Sequence, residues 1–342
     1  MSRITNWSSY ETIAALDPLI FDEQARRLPS LNSTNDVRGL TDQYESLLDV
    51  SARALKEGID ADNAAASLRD LDFVAGSLVR HGAIEIAEQD MAQIVLHSLG
   101  AVAGTVPRGT VFTYAAANPD GVRRRTFTDT DGEQLFINSV KEGVDALDHC
   151  VEALSEVPTG KIGGIEQAAE HMGRMVTSIV AVKKGITPEF FTYEMRPYFD
   201  ALTVNGVSYA GAGGAQMQVV AVDRMIWGAD CPDATYEDYY ADNVRYLTPN
   251  QRAAIADFEE STNGKSIVTL INEGTLPPEA AVSTRGLLVT LRKFRYPHRK
   301  VANDNFALRT EGSVGSGQYT PTMLDKLIEL NEQAIAQIEE KV

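Results

Sequence analysis

Residues 291–300 read Leu-Arg-Lys-Phe-Arg-Tyr-Pro-His-Arg-Lys. Leu291, Phe294, Val301 and Ala302 lie seven, four, three and four positions from His298. A helix therefore gathers them with the imidazole on one apolar face. Pro297 removes one amide from that helix and disturbs the bond to the carbonyl four residues back, which predicts a kink beside the histidine. Six basic residues surround it: Arg285, Arg292, Lys293, Arg295, Arg299 and Lys300. A neutral imidazole offers a nitrogen to a metal, and arginines offer forked donors to carboxylates. An iron porphyrin with two propionates would use both. A core histidine bonded to a carbonyl, on a helix whose basic residues pair with nearby acids, is the other reading. The segment alone leaves both open.

Outward from this helix the same period recurs. Apolar residues at three- and four-residue spacing predict helices near 41–57, 64–80, 87–103, 133–156, 164–184, 215–228, 249–261, 281–300 and 321–340. Thr187-Pro188, Thr248-Pro249 and Thr320-Pro321 mark three helix starts. The threonine caps orphan amides, and proline at the first helical position forfeits no bond. Thr110–Tyr114 and Leu202–Tyr209 are short strand candidates. The expected fold class is all-α, with a small helical part at 1–106 and a larger one at 107–342 acting as one functional unit.

Composition narrows the function. The 342 residues hold 31 Lys+Arg against 48 Asp+Glu, a net charge of −17, which argues against a nucleic-acid partner. Apolar residues make up 44%, enough for a sizeable core. No apolar run reaches the roughly 18 residues that a membrane span needs. Met1 to Trp7 lacks the apolar stretch of a signal peptide, so the expectation is a cytoplasmic protein. Two distant cysteines, Cys150 and Cys231, exclude a thiolate metal cluster and haem attachment through Cys-x-x-Cys-His.

Three further segments are chemically informative. In Met195-Arg196-Pro197-Tyr198-Phe199 an arginine stands among apolar and aromatic residues, where it needs an anion. A substrate carboxylate would serve, and so would Glu189, Glu194 or Asp200. Tyr209-Ala-Gly-Ala-Gly-Gly-Ala-Gln216 allows close backbone approach before a helix, without the spacing of a P-loop or dinucleotide fingerprint. Glu311-Gly-Ser-Val-Gly-Ser-Gly-Gln-Tyr319 is either a surface loop or one that closes on a pocket.

Taken in order, Met-Arg-Pro-Tyr-Phe, the glycine-rich turn, Leu-Arg-x-Phe-Arg-x-Pro-His and Gly-Ser-Gly-x-Tyr resemble the haem superfamily of indoleamine and tryptophan 2,3-dioxygenases. Within it the chain looks most like the monodechloroaminopyrrolnitrin synthase family. The likeness extends through Leu16-Asp17-Pro18, Leu28-Pro29-Ser30-Leu31-Asn32 and Gly76-Ser77-Leu78-Val79-Arg80-His81-Gly82. It implies an indoleamine 2,3-dioxygenase-like helical fold holding non-covalent haem b, its iron ligated by His298. Arg295 would meet a haem propionate, and Arg196 the substrate carboxylate. Ser139 would stand on the distal side of the iron, with Leu135 replacing an aromatic residue of the family. Gly213 and Gly214 would precede the helix over the pocket, and Gly315, Ser316 and Gly317 would form the closing loop. Two positions depart from the family pattern: Phe306 replaces a tyrosine, and Gln318 replaces a glycine. The implied activity is a haem-dependent oxygenase of secondary metabolism acting on tryptophan or a related indole or aromatic amino acid. Dioxygen and an external reductant would be its other partners. A haem-binding gas sensor or carrier of the same fold is the alternative, and a haem-free helical interaction protein a third.

Overall fold

The computed structural model describes residues 6–213, 217–309, 314–315 and 317–341. Among them helices dominate and one two-stranded sheet occurs, as an all-α chain requires. Contacts cluster into two units: one of residues 1–141, 186–214 and 316–318, the other of 142–185, 215–315 and 319–342. The expected boundary after residue 106 falls inside the first of these units. Residues 107–141 join the N-terminal helices because Arg108, Arg125 and Phe127 are buried against them.

The first unit is built round helix Ala61–Arg80, sixteen of whose twenty residues are buried. Ala64, Ala65 and Ala66 let neighbouring backbone come close, and a Cβ on Gly76 would stand 2.6 Å from the Tyr198 carbonyl. Two buried ion pairs on this helix tie down distant chain. Arg69, paired with Asp70, donates to the carbonyls of Ile13 (3.2 Å) and Ala117 (3.1 Å). Arg108, paired with Asp72, donates to the carbonyls of Asp200 (3.1 Å) and Tyr209 (3.0 Å). The latter bonds seat a hairpin of β1 (Leu202–Val204) and β2 (Val207–Tyr209), the strand region expected at 202–209. Its turn residues, Asn205 and Gly206, have φ of 50° and 76°, as a tight hairpin turn demands. The other strand candidate fails: Phe112–Ala116 is a π-helical turn. Its residues are all buried, and the local apolar run alone does not distinguish a strand from a buried helix.

The second unit centres on helix Glu279–Phe306, packed between Gly164–Gly185 and Pro321–Glu339. It runs through Pro297 and ends at Phe306, beyond the expected end at residue 300. One missing amide in a 28-residue helix is outweighed by packing on both sides. Thr248 makes the expected cap, reciprocated by Gln251, and the Thr187 hydroxyl accepts from the Phe190 amide at 3.2 Å. Thr320 caps only by position, since its hydroxyl bonds Thr322 instead. Expected helix 215–228 is Val219–Asp223 followed by a π-turn, Arg224–Gly228. A third π-turn, Phe190–Met195, precedes Arg196. Such turns are rare and concentrate at functional positions.

Candidate active site

Helix Glu279–Phe306 places His298 one turn after Phe294, the two rings 5.4 Å apart between centroids. Leu291 and Phe294 are buried and His298 is part-buried, so the imidazole extends an apolar stripe as its spacing predicts. Among the described residues neither of its nitrogens is given a hydrogen-bond partner by the protein. His81, by contrast, bonds Asn32 at 3.2 Å, and His149 bonds the Asp145 carbonyl at 2.8 Å. Burial, assisted by the positive charge of Arg295, pushes the His298 pKa down to about 4. At neutral pH the ring is uncharged, with a lone pair open to a metal.

That depressed pKa has a consequence for the haem-free chain. Above the ordinary imidazole value of 6.5 the ring is neutral whether folded or unfolded, and pH has no effect through it. As pH falls from 6.5 towards about 4, the unfolded chain takes up a proton that the folded chain refuses, so stability is lost; below that it is lost no further. In urea unfolding at about pH 7.5 and about pH 4.5, wild type should lose about 2–3 kcal/mol more than His298→Ala. Equal losses would show that the folded protein accepts the proton freely.

Arg295 has partners within the protein. Its guanidinium, 2% exposed, is paired with the fully buried Asp223 and donates to the Leu327 carbonyl at 3.0 Å. Nη2 meets the protein's own carboxylate and Nη1 that carbonyl, while the buried Nε has no partner among the described residues. Asp223 was missed in the sequence, although a lone acid within Val219-Val-Ala-Val-Asp-Arg-Met-Ile-Trp227 announces a buried partner. Burial pushes the Asp223 carboxyl up, and Arg295 opposes that shift. Much of the remaining basic cluster pairs on the surface: Arg285 with Glu339 (3.0 Å), Arg299 with Asp325 (2.8 Å) and Lys300 with Asp304.

In the first unit, Ser139 is buried on helix Asp131–Ser155 at 6% exposure. Three residues earlier, the Phe136 ring lies 5.6 Å from Phe191 and 6.3 Å from Phe199. Buried Glu133 fixes the start of this helix, accepting from the amides of Phe127 (2.8 Å), Thr128 (2.7 Å) and Asp129 (3.1 Å). Arg196 follows the π-turn and pairs with Asp200, one of the three acids the sequence offered. Gly213 is buried, and nearby Gly211 has no room for a side chain: a Cβ there would stand 2.5 Å from the Phe199 carbonyl. Gly214 and Ser316 lie outside the described residues. Phe306 ends the His298 helix, with the Arg309 guanidinium 5.2 Å above its ring. Gly315 and Gly317 are part-buried, and Gln318 is exposed with φ of 66°, a conformation suited to the glycine it replaces.

A family model described as monodechloroaminopyrrolnitrin synthase PrnB matches residues 9–272. The chain belongs to that family. Membership makes it an enzyme of tryptophan-related secondary metabolism, and the monodechloroaminopyrrolnitrin synthases are haem-dependent. The match takes in Ser139, Arg196, Gly213 and Asp223; Arg295 and His298 follow its end. The donor set fits haem in one respect and not in another. His298 has the charge state of a metal ligand and no hydrogen-bond partner among the described residues, whereas Arg295 is already engaged. No helix among the described residues is long and apolar enough to cross a membrane.

Proposed function

We propose that this monodechloroaminopyrrolnitrin synthase relative is a haem-dependent oxygenase whose iron is ligated by His298 and whose substrate is tryptophan or a related indole or aromatic amino acid. The observation that carries the proposal is the neutral imidazole on the apolar face of helix Glu279–Phe306, without a hydrogen-bond partner among the described residues, in a chain of a haem-dependent family. Haem b, bound without covalent attachment, would supply the redox centre for dioxygen and an external reductant. The protein's own groups do the rest. His298 holds the iron from a helix whose other contacts fix its direction. Arg196 has a forked donor for a substrate carboxylate and is balanced in the meantime by Asp200. The rings of Phe136 and Phe191 are suited to an aromatic side chain, and the Ser139 hydroxyl to a polar atom on it. Gly315, Ser316 and Gly317, with Gln318, belong to the segment that the resemblance assigns to closure. Phe306 offers no phenol where the family pattern has tyrosine, and this bears on the reaction course.

An optical titration of haem-loaded protein with tryptophan, halogenated tryptophans and simple indoles tests this. Saturable perturbation of the Soret band, with oxygen consumption once reductant is added, is the expected result. A protein that binds haem and diatomic gas but ignores every indole would be a sensor or carrier instead.

A further inference from the structure

Residues 91–107 and 201–222 contain no Asp, Glu, Lys or Arg. The first stretch holds nearly all of helix Asp90–Ala103 and the second the β1–β2 hairpin, both in the first unit. Gln93 ties them together: its Nε2 donates to the Thr203 carbonyl at 3.0 Å, and its Oε1 accepts from the Asn205 amide at 2.6 Å. Packing against the rest of the unit accounts for one side of the helix, where Ala92, Val95, Leu96, Leu99, Gly100 and Ala103 are buried. The other side is apolar as well. Met91 is 43% exposed and Ile94 64%, with His97 and Ala101 exposed and Ser98 half-buried between them. A helix lying on a protein surface ordinarily turns charged residues outward. This one carries a single charge, Asp90, at its first position.

Charge and shape together say what covers this face. At a net charge of −17 two copies of the chain repel each other, and least where neither bears a charge. An ionic partner would find nothing here to pair with. An anionic membrane surface would repel the chain, and the face lacks the lysines and arginines of interfacial helices. Met91, Ile94, Ser98 and Ala101 follow one another at steps of three, four and three, so they form one stripe. It is bulky towards the start of the helix and small towards its end. Ser98 asks for no outside partner, since its hydroxyl donates to the Ile94 carbonyl at 2.7 Å. Two such stripes laid antiparallel about a two-fold axis set Met91 opposite Ala101 and Ile94 opposite Ser98, large against small at both ends.

We propose that helix Asp90–Ala103 is the interface of a homodimer, packed antiparallel on the same helix of a second copy. Sedimentation equilibrium of the full chain, from about 1 to about 100 µM, tests it. Wild type should form dimers that tighten several-fold as salt rises from about 0.05 to about 0.5 M, because screening relieves the repulsion between copies. Ile94→Glu should raise the dimer Kd at least about a hundredfold, by burying an unpaired charge. Val282→Glu, at a 61% exposed position on helix Glu279–Phe306, should leave it unchanged. Both sites are on the surface, so circular dichroism should show wild-type folding in each variant. Chains with Ile94→Lys, mixed with chains carrying Ser98→Glu, should form a heterodimer although neither self-associates. A wild type that stays monomeric throughout overturns the proposal, as does a dimer that Ile94→Glu leaves intact or that Val282→Glu disrupts equally. If Ile94→Glu dissociates the dimer but the mixed chains do not pair, the antiparallel register is wrong.

Discussion

Replacing His298 with alanine is expected to abolish stoichiometric haem binding. The described residues contain no cluster of three or more metal-ligating side chains, so no ready-made site takes over. The substitution removes a ring on an already apolar stripe beside Phe294, and the helix itself favours alanine. The variant should therefore fold and fail to load, which separates ligation from stability. Added imidazole should restore part of the Soret intensity by occupying the space vacated. A variant that binds one haem per chain with an unchanged spectrum would move the ligand elsewhere.

The second large effect is expected at Asp223. Removing it as Asp223→Ala strands the Arg295 charge in the interior and should destabilise the protein by about 3–5 kcal/mol, read as a shifted urea midpoint. Replacing both partners, as in Asp223→Leu with Arg295→Met, should recover most of that loss, because no unpaired charge is left. The double variant also decides what Arg295 does. If the pair is scaffolding for His298, as its burial argues, the folded double variant binds haem in normal amount. A folded double variant that cannot retain haem would return Arg295 to the propionate role that the sequence suggested.

How much of this was legible beforehand depended on the kind of signal. Helix Glu279–Phe306 showed its period because it buries one face, and Leu202–Tyr209 showed as a strand candidate without announcing its Asn205-Gly206 turn. Helix Ala234–Val244 went unseen: it buries Tyr236, Tyr239 and Asn243, and its other positions are mostly polar or small, so no apolar stripe marks it. Phe112–Ala116 was misread because a wholly buried apolar stretch has no face to count. The same limit governed the site. His298 could be placed on its stripe, but spacing along the chain could not show that Asp223, 72 residues away, would claim Arg295. Nor could it show which of three nearby acids would pair with Arg196, or that Tyr319 would reach Asp242 across 77 residues. Periodicity reports what is buried. It does not report which polar groups find each other once burial brings them together.

The most direct test of the central claim is a titration of haem into the haem-free wild-type chain, followed at the Soret band beside His298→Ala. Wild type should show a sharp break at one haem per chain, and the variant a shallow rise without one. A wild-type titration with no break, or the same break in both proteins, would contradict the account.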